Sequence, residues 1–197
     1  MKNEQRKELL YQALETEIGG VQIYKTAITC AVNEDLKKEW EEYLEQTENH
    51  VQILEGVFEE LGMDKMKDTP GRQVVRHIGE SLVQAMGMAK TSADAKNAEL
   101  VATECVMLAE SKDHANWELI GELSKKETGD TAKVLKEAHE EVMEEEKEHY
   151  FHTTGWSREL WIDSMGMPAV LPPPEEEKDV KTQIGAARAK QARAKMV

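Results

Sequence analysis

Glu144-Glu145-Glu146-Lys147-Glu148-His149-Tyr150-Phe151-His152, EEEKEHYFH, closes a long glutamate-rich segment, and two readings of it compete. As a solvated helix face it says only that a helix is present. As an inward face it sets Glu146 and His149 side by side, because three residues advance an α-helix by about 4.5 Å and return nearly to the same face. The preceding apolar residues choose between the two. Leu135, Ala138, Val142, Glu146, His149 and Trp156 fall on one stripe, so the pair continues an apolar face into the interior. Glu145 and Glu148 point elsewhere and read as surface acids. Among the 6 histidines only His149 has a glutamate three residues before it. For His139 and His152 two readings stay open: partners of nearby ligands, or satisfied structural histidines.

The rest of the chain must then supply partners. It has 197 residues, 40% of them hydrophobic, 32% charged and only 5% aromatic, with many Met, Ala, Leu, Glu and Lys. Straight-chain residues lose little rotamer freedom in a helix, so this composition predicts helices. A formal charge of −14 excludes the basic surface that general nucleic-acid binding needs, and suits the attraction of cations. Cys30 and Cys105 lie far apart with no CxxC pair, which fits a reducing compartment. No apolar leader and no run of about 20 apolar residues is present, so a cytoplasmic protein without membrane association is expected.

Apolar residues recur at helical spacing from Asn3 to about Ala31: Leu10, Ala13, Leu14, Val21, Tyr24 and Ile28, with Gly19-Gly20 weakening the middle. Asn33 is a good N-cap, followed by Glu34 and Asp35 where the helix dipole favours acid. A second helix to about Leu61 carries Leu36, Trp40, Tyr43, Leu44, His50, Leu54, Val57 and Phe58 on its apolar side, and Gly62 stops it. Pro70 is placed to start a shorter helix, about Gly71 to Met88, before a break near Thr91-Ser92. A third long helix covers about Ala93 to Lys126, and a fourth about Thr131 to Thr154. The expected fold is all-α: two antiparallel hairpins joined by a long crossover that contains a short helix, the plan of a ferritin-like four-helix bundle. It occupies residues 1–163. Residues 164–197 read as a linker rich in proline and acid, MPAVLPPPEEEKD, and a basic tail with Lys181, Arg188, Lys190, Arg193 and Lys195. For the tail, disorder, packing against an acidic neighbour and contact with an anionic partner all stay open.

A dimetal site in such a fold takes one carboxylate from each of two helices and Glu-x-x-His from each of the others. The first helix offers Glu17, on the face of Leu10, Ala13, Leu14, Val21 and Tyr24; Glu15 sits away from that stripe. A carboxylate there is costly unless paired, hydrogen-bonded or metal-bound. The second offers His50, but its i−3 partner is Thr47, so the motif is broken, and Glu48 aligns with the polar side. The third presents Val106, Glu110, Asp113, Trp117 and Ile120 on one stripe, making Glu110 and Asp113 candidates, flanked by His114; Glu104 and Glu118 are further alternatives.

The stretch YLEQTENHVQILEGVFEELG, residues 43–62, resembles the second helix of the YciF-like branch of the ferritin-like superfamily, and the 33-residue spacing from Glu17 to His50 is similar as well. EIGGVQIY, Glu17 to Tyr24, resembles the first-helix motif of bacterioferritins, and EEEKEH resembles their last ligand helix. Asp113-His114 stands where YciF-like proteins carry Glu-His. The likeness covers about residues 5–156. It implies Glu17, His50, Glu146 and His149 as ligands, Asp113 in place of a glutamate and Glu110 as a fallback. It implies iron, two ions, with manganese next.

Such a site implies oxidation of Fe(II), or reduction of O2 or peroxide, in metal or oxidative stress; the prevalence of two-fold homo-oligomers makes a homodimer or higher homo-oligomer the default expectation. The competing expectation is a non-catalytic helical stress protein acting by oligomerisation or partner binding, with a degenerate metal site.

Overall fold

The computed structural model describes residues 2–92, 94–174 and 182–196. They form six helices: α1 (Lys2–Ile28), α2 (Glu34–Glu60), α3 (Pro70–Ser92), α4 (Ala95–Ser124), α5 (Gly129–Ser164) and α6 (Thr182–Arg193). No strand occurs among the described residues, and no helix among them is long and apolar enough to cross a membrane.

Local chemistry sets the boundaries. The Asn33 side chain accepts from the backbone N–H groups of Asp35 and Leu36, and Asp94 accepts from Asn97, so both helices start on side-chain caps. Thr69 Oγ1 accepts from Arg72 N beside Pro70, whose missing N–H costs nothing at the first helical position. Gly62, at φ 60°, ends α2 while Met63 N donates to Phe58 O.

Four helices pack around a common interior, and their contacts fix the register. Tyr24 meets Tyr43, Gly20 meets Thr47 and Glu17 meets His50, so α1 and α2 are antiparallel. Glu104 meets Trp161 and His114 meets Tyr150, which makes α4 and α5 antiparallel too. Tyr24–Glu110 and Glu17–Trp117 pair α1 with α4, and Gln46–His149 and His50–Glu145 pair α2 with α5, both antiparallel. The order is up, down, down, up. The crossover between α2 and α4 contains α3, which lies against α1 and α4. Gly19 and Gly79 let the α1 and α3 backbones approach: a Cβ on Gly79 would meet Gly19 Cα at 3.6 Å. The Gly19-Gly20 pair therefore serves packing, and α1 runs through it unbroken.

The interior is two apolar clusters. One holds Tyr24, Leu36, Trp40, Tyr43, Val106 and Trp156; the other holds Leu14, Leu54, Phe58, Trp117, Ile120 and Leu135. Between them lies a layer of buried polar side chains.

Three boundaries differ from the sequence reading. The last long helix runs ten residues past Thr154, to Ser164, because Trp156 and Leu160 extend its apolar stripe into the first cluster. The crossover helix is 23 residues long. The basic tail is helical from Thr182 to Arg193 and packs on α5, where Arg193 Nη1 donates to the fully buried Glu159 (2.6 Å). Residues 175–181, the acidic end of the expected linker, lie outside the described residues.

Candidate metal centre

All six candidate ligands are buried in that layer: Glu17 from α1, His50 from α2, Glu110 and Asp113 from α4, Glu146 and His149 from α5, none more than 4% exposed. Ligand atoms of Glu17, His50 and Glu146 lie within 4.8 Å of one another, and so do those of Glu110, Glu146 and His149. Glu146 belongs to both triads. Its Oε1 is 3.2 Å from His50 Nδ1 and 3.6 Å from His149 Nδ1. Asp113 lies beside Glu17, close enough for that carboxylate to raise its pKa.

Each of the six residues keeps one buried atom without a hydrogen bond: Glu17 Oε2, His50 Nδ1, Glu110 Oε2, Asp113 Oδ1, Glu146 Oε2 and His149 Nδ1. An unmade bond on a buried polar group costs about 1–3 kcal/mol; protons on the two rings would satisfy the Nδ1 atoms against the carboxylates, and the four carboxyl oxygens remain a penalty for a purely structural core. Other atoms of these residues are held from outside. Trp117 Nε1–H donates to Glu17 Oε1 (2.7 Å), and Tyr24 O–H donates to Glu110 Oε1 (2.8 Å).

The histidines are anchored reciprocally. His50 Nε2–H donates to Glu145 Oε2 (2.8 Å) on α5, and His149 Nε2–H donates to Gln46 Oε1 (2.7 Å) on α2. Both rings consequently turn Nδ1 inward to the carboxylates, and they stack with centroids 5.7 Å apart. Tyr43 packs on the His149 ring at 4.2 Å. Its hydroxyl donates to Glu39 Oε1 and lies 2.9 Å from His152 Nδ1, while Trp156 Nε1–H donates to Glu39 Oε2.

Electrostatics follow from burial set against close charge. Burial alone disfavours the charged forms, but Glu17 and Glu146 overcome it at His50 and raise its pKa to about 11. Glu110 and Glu146 likewise raise His149 to about 9. The two imidazoles, against the cost of burial, hold Glu146 down at about 2. Burial, then Glu17, Glu146 and Glu110, drive Asp113 well above the ordinary range, and burial raises Glu17 despite the pull of His50. Burial and the neighbouring His149 push His152 down to about 4. The surrounding carboxylates thus favour the imidazolium form of both His50 and His149.

Several side chains stand differently from the sequence reading. Glu145 does not point away from the site: it is half-buried and anchors His50. Gln46, outside the apolar side read for the second helix, anchors His149. Both lie one turn before the histidine of their own helix and bond the histidine of the other, so an acid or amide at i−4 from each histidine was the available signal. Glu15 is buried as well, clamped by Arg72 and Arg76. Glu104 bonds Trp161, and Glu118 is exposed beside His114; neither joins the layer. His139 packs against Gly121, away from it, whereas His152 lies beside His149 through Tyr43. Thr47 is buried at the place of the missing α2 acid, with a Cβ on Gly20 due to meet its Cγ2 at 3.2 Å. The acid count is kept by α4, which supplies both Glu110 and Asp113.

No family model matches the sequence, and neither a curated protein nor a solved structure does.

Proposed function

We propose that this chain is a ferritin-like four-helix bundle holding a dimetal carboxylate centre, with Glu17, His50 and Glu146 on one ion and Glu110, Glu146 and His149 on the other. Asp113 is the further carboxylate, standing in for the acid that Thr47 does not supply. The observation that carries this is the pair of buried triads sharing Glu146, with an unbonded atom on every candidate ligand. Four carboxylates and two imidazoles are the donor set of such centres, and they suit iron or manganese.

Two ferrous ions, when bound, supply the electrons that reduce O2 or peroxide. The chain's own residues hold and orient. Glu145 and Gln46 fix each histidine's tautomer, so that Nδ1 faces the carboxylates. Tyr24 and Trp117 each occupy one oxygen of a carboxylate and leave the other for a cation. The two apolar clusters exclude water from both ends of the layer. The reaction class we favour is oxidation of Fe(II) by O2 or peroxide in metal or oxidative stress.

The test is metal content per chain after anaerobic loading with Fe(II) and desalting. About two irons per chain support a dinuclear centre, about one means that Thr47 has cost the second position, and none removes the reading. Glu146→Ala should lose both ions, and unchanged Fe(II) oxidation by this variant would remove the catalytic assignment.

A further inference from the structure

α1, α3 and α4 line an open cavity of about 210 Å³, apart from the six candidate ligands. Its buried lining includes Thr16, Ile23, Val75 and Ala109; Ile78 and Leu108 stand at its mouth, 52% and 56% exposed. Large exposed apolar side chains around one opening are informative in a chain with 32% charged residues.

The cavity has one cationic side chain outside any ion pair among the described residues. Glu15 reaches it, but Arg72 and Arg76 neutralise that carboxylate. Lys112, also in the lining, donates from Nζ to the Asn116 side-chain oxygen and forms no ion pair among the described residues; the Asp113 carboxyl acts on it only through space, against the cost of burial. Asn116 is 1% exposed, and its Nδ2 donates to Thr16 Oγ1 (3.0 Å), so a buried amide fixes where the ammonium sits. In a chain with 39 acids and 25 basic residues, an ammonium held by a neutral amide at an apolar opening lacks only its anion.

We propose that this cavity binds a small monocarboxylate with an apolar body, the carboxylate on Lys112 and the body against Ile23, Val75 and Ala109. Size sets the class: an apolar cavity of about 150 Å³ accepts benzene, so 210 Å³ takes one ring with its acid group. The charge of Lys112 selects acids over neutral analogues.

The probe is 4-fluorobenzoate, followed by fluorine NMR on the full, metal-free chain, so the outcome is independent of metal content. Saturable binding at one site per chain is expected, with the neutral 4-fluorobenzyl alcohol at least about tenfold weaker. Lys112→Met should weaken the acid at least about tenfold and leave the alcohol unchanged; Ala109→Phe should abolish both. Lys112→Met, at an exposed position, keeps the test decisive if the filled cavity prevents folding. Absence of saturation up to about 5 mM overturns the proposal, as does indifference to Lys112→Met. A dimer in sedimentation velocity that excludes the probe overturns it too, since a second copy is then the occupant.

Discussion

Binding metal to this layer must expel protons, and their number follows from the side chains present. A histidine ligates as the neutral ring, yet His50 and His149, at about 11 and about 9, are both protonated at pH 7 in the metal-free protein. Filling both triads therefore releases about two protons per chain, and Asp113, driven well above the ordinary range mainly by burial, adds toward a third. Removing them at pH 7 costs about 3 kcal/mol at His149 and about 5 kcal/mol at His50. The apparent affinity for each ion should accordingly fall about tenfold for each pH unit below neutrality, and the product for both ions about a hundredfold. The assay is anaerobic calorimetric titration with Mn(II), in two buffers of different ionisation enthalpy at pH 7 and again at pH 6. Two bound ions with less than about one proton released per chain would refute the reasoning, because the rings would then be neutral before metal arrives.

The metal-free protein should lose stability as pH rises above about 6.5. Glu146, lowered to about 2, contributes stability present above 4.5 and lost as pH falls through 2; His50 and His149, raised, contribute stability present below 6.5 and lost as pH rises through 9 and 11. Thermal unfolding from pH 3 to 10 checks this, and His50→Gln should flatten the alkaline limb. Glu145→Gln should leave the helix content unchanged and weaken metal binding by about 10- to 100-fold, since it anchors a ligand without being one; equal affinity in a competition titration would contradict that role. Arg193→Ala should cost about 1–3 kcal/mol, because Glu159 is fully buried and among the described residues would keep Arg158 and the Val170 N–H. For a chain of this length that lowers the melting temperature by roughly 2–12 °C, and an unchanged melting curve would show that α6 contributes nothing there.

The sequence by itself determined the helices and the inward acids. Periodicity alone places Leu135, Val142, Glu146 and Trp156 on one stripe, and all of them are buried. The same reasoning puts Glu17 and His50 among apolar neighbours and narrows α4 to Glu110 and Asp113. It works because a helix repeats its faces regularly, so a polar residue on an apolar stripe is legible without coordinates. Periodicity has no power over what meets across two helices. Both Glu110 and Asp113 enter the layer, where the wheel left them as alternatives, because both lie on the buried face of α4. Glu145 lies off the stripe on its own helix and reads as a surface acid, yet it meets His50 because α2 and α5 lie antiparallel in one particular register. The fate of Arg193 was likewise undetermined until α6 had a partner, since Glu159 is 34 residues away along the chain. Local spacing fixes which way a side chain points from its own helix axis; the protonation of the histidines, the anchoring of their rings and the sharing of Glu146 depend on distances between helices, which only packing sets.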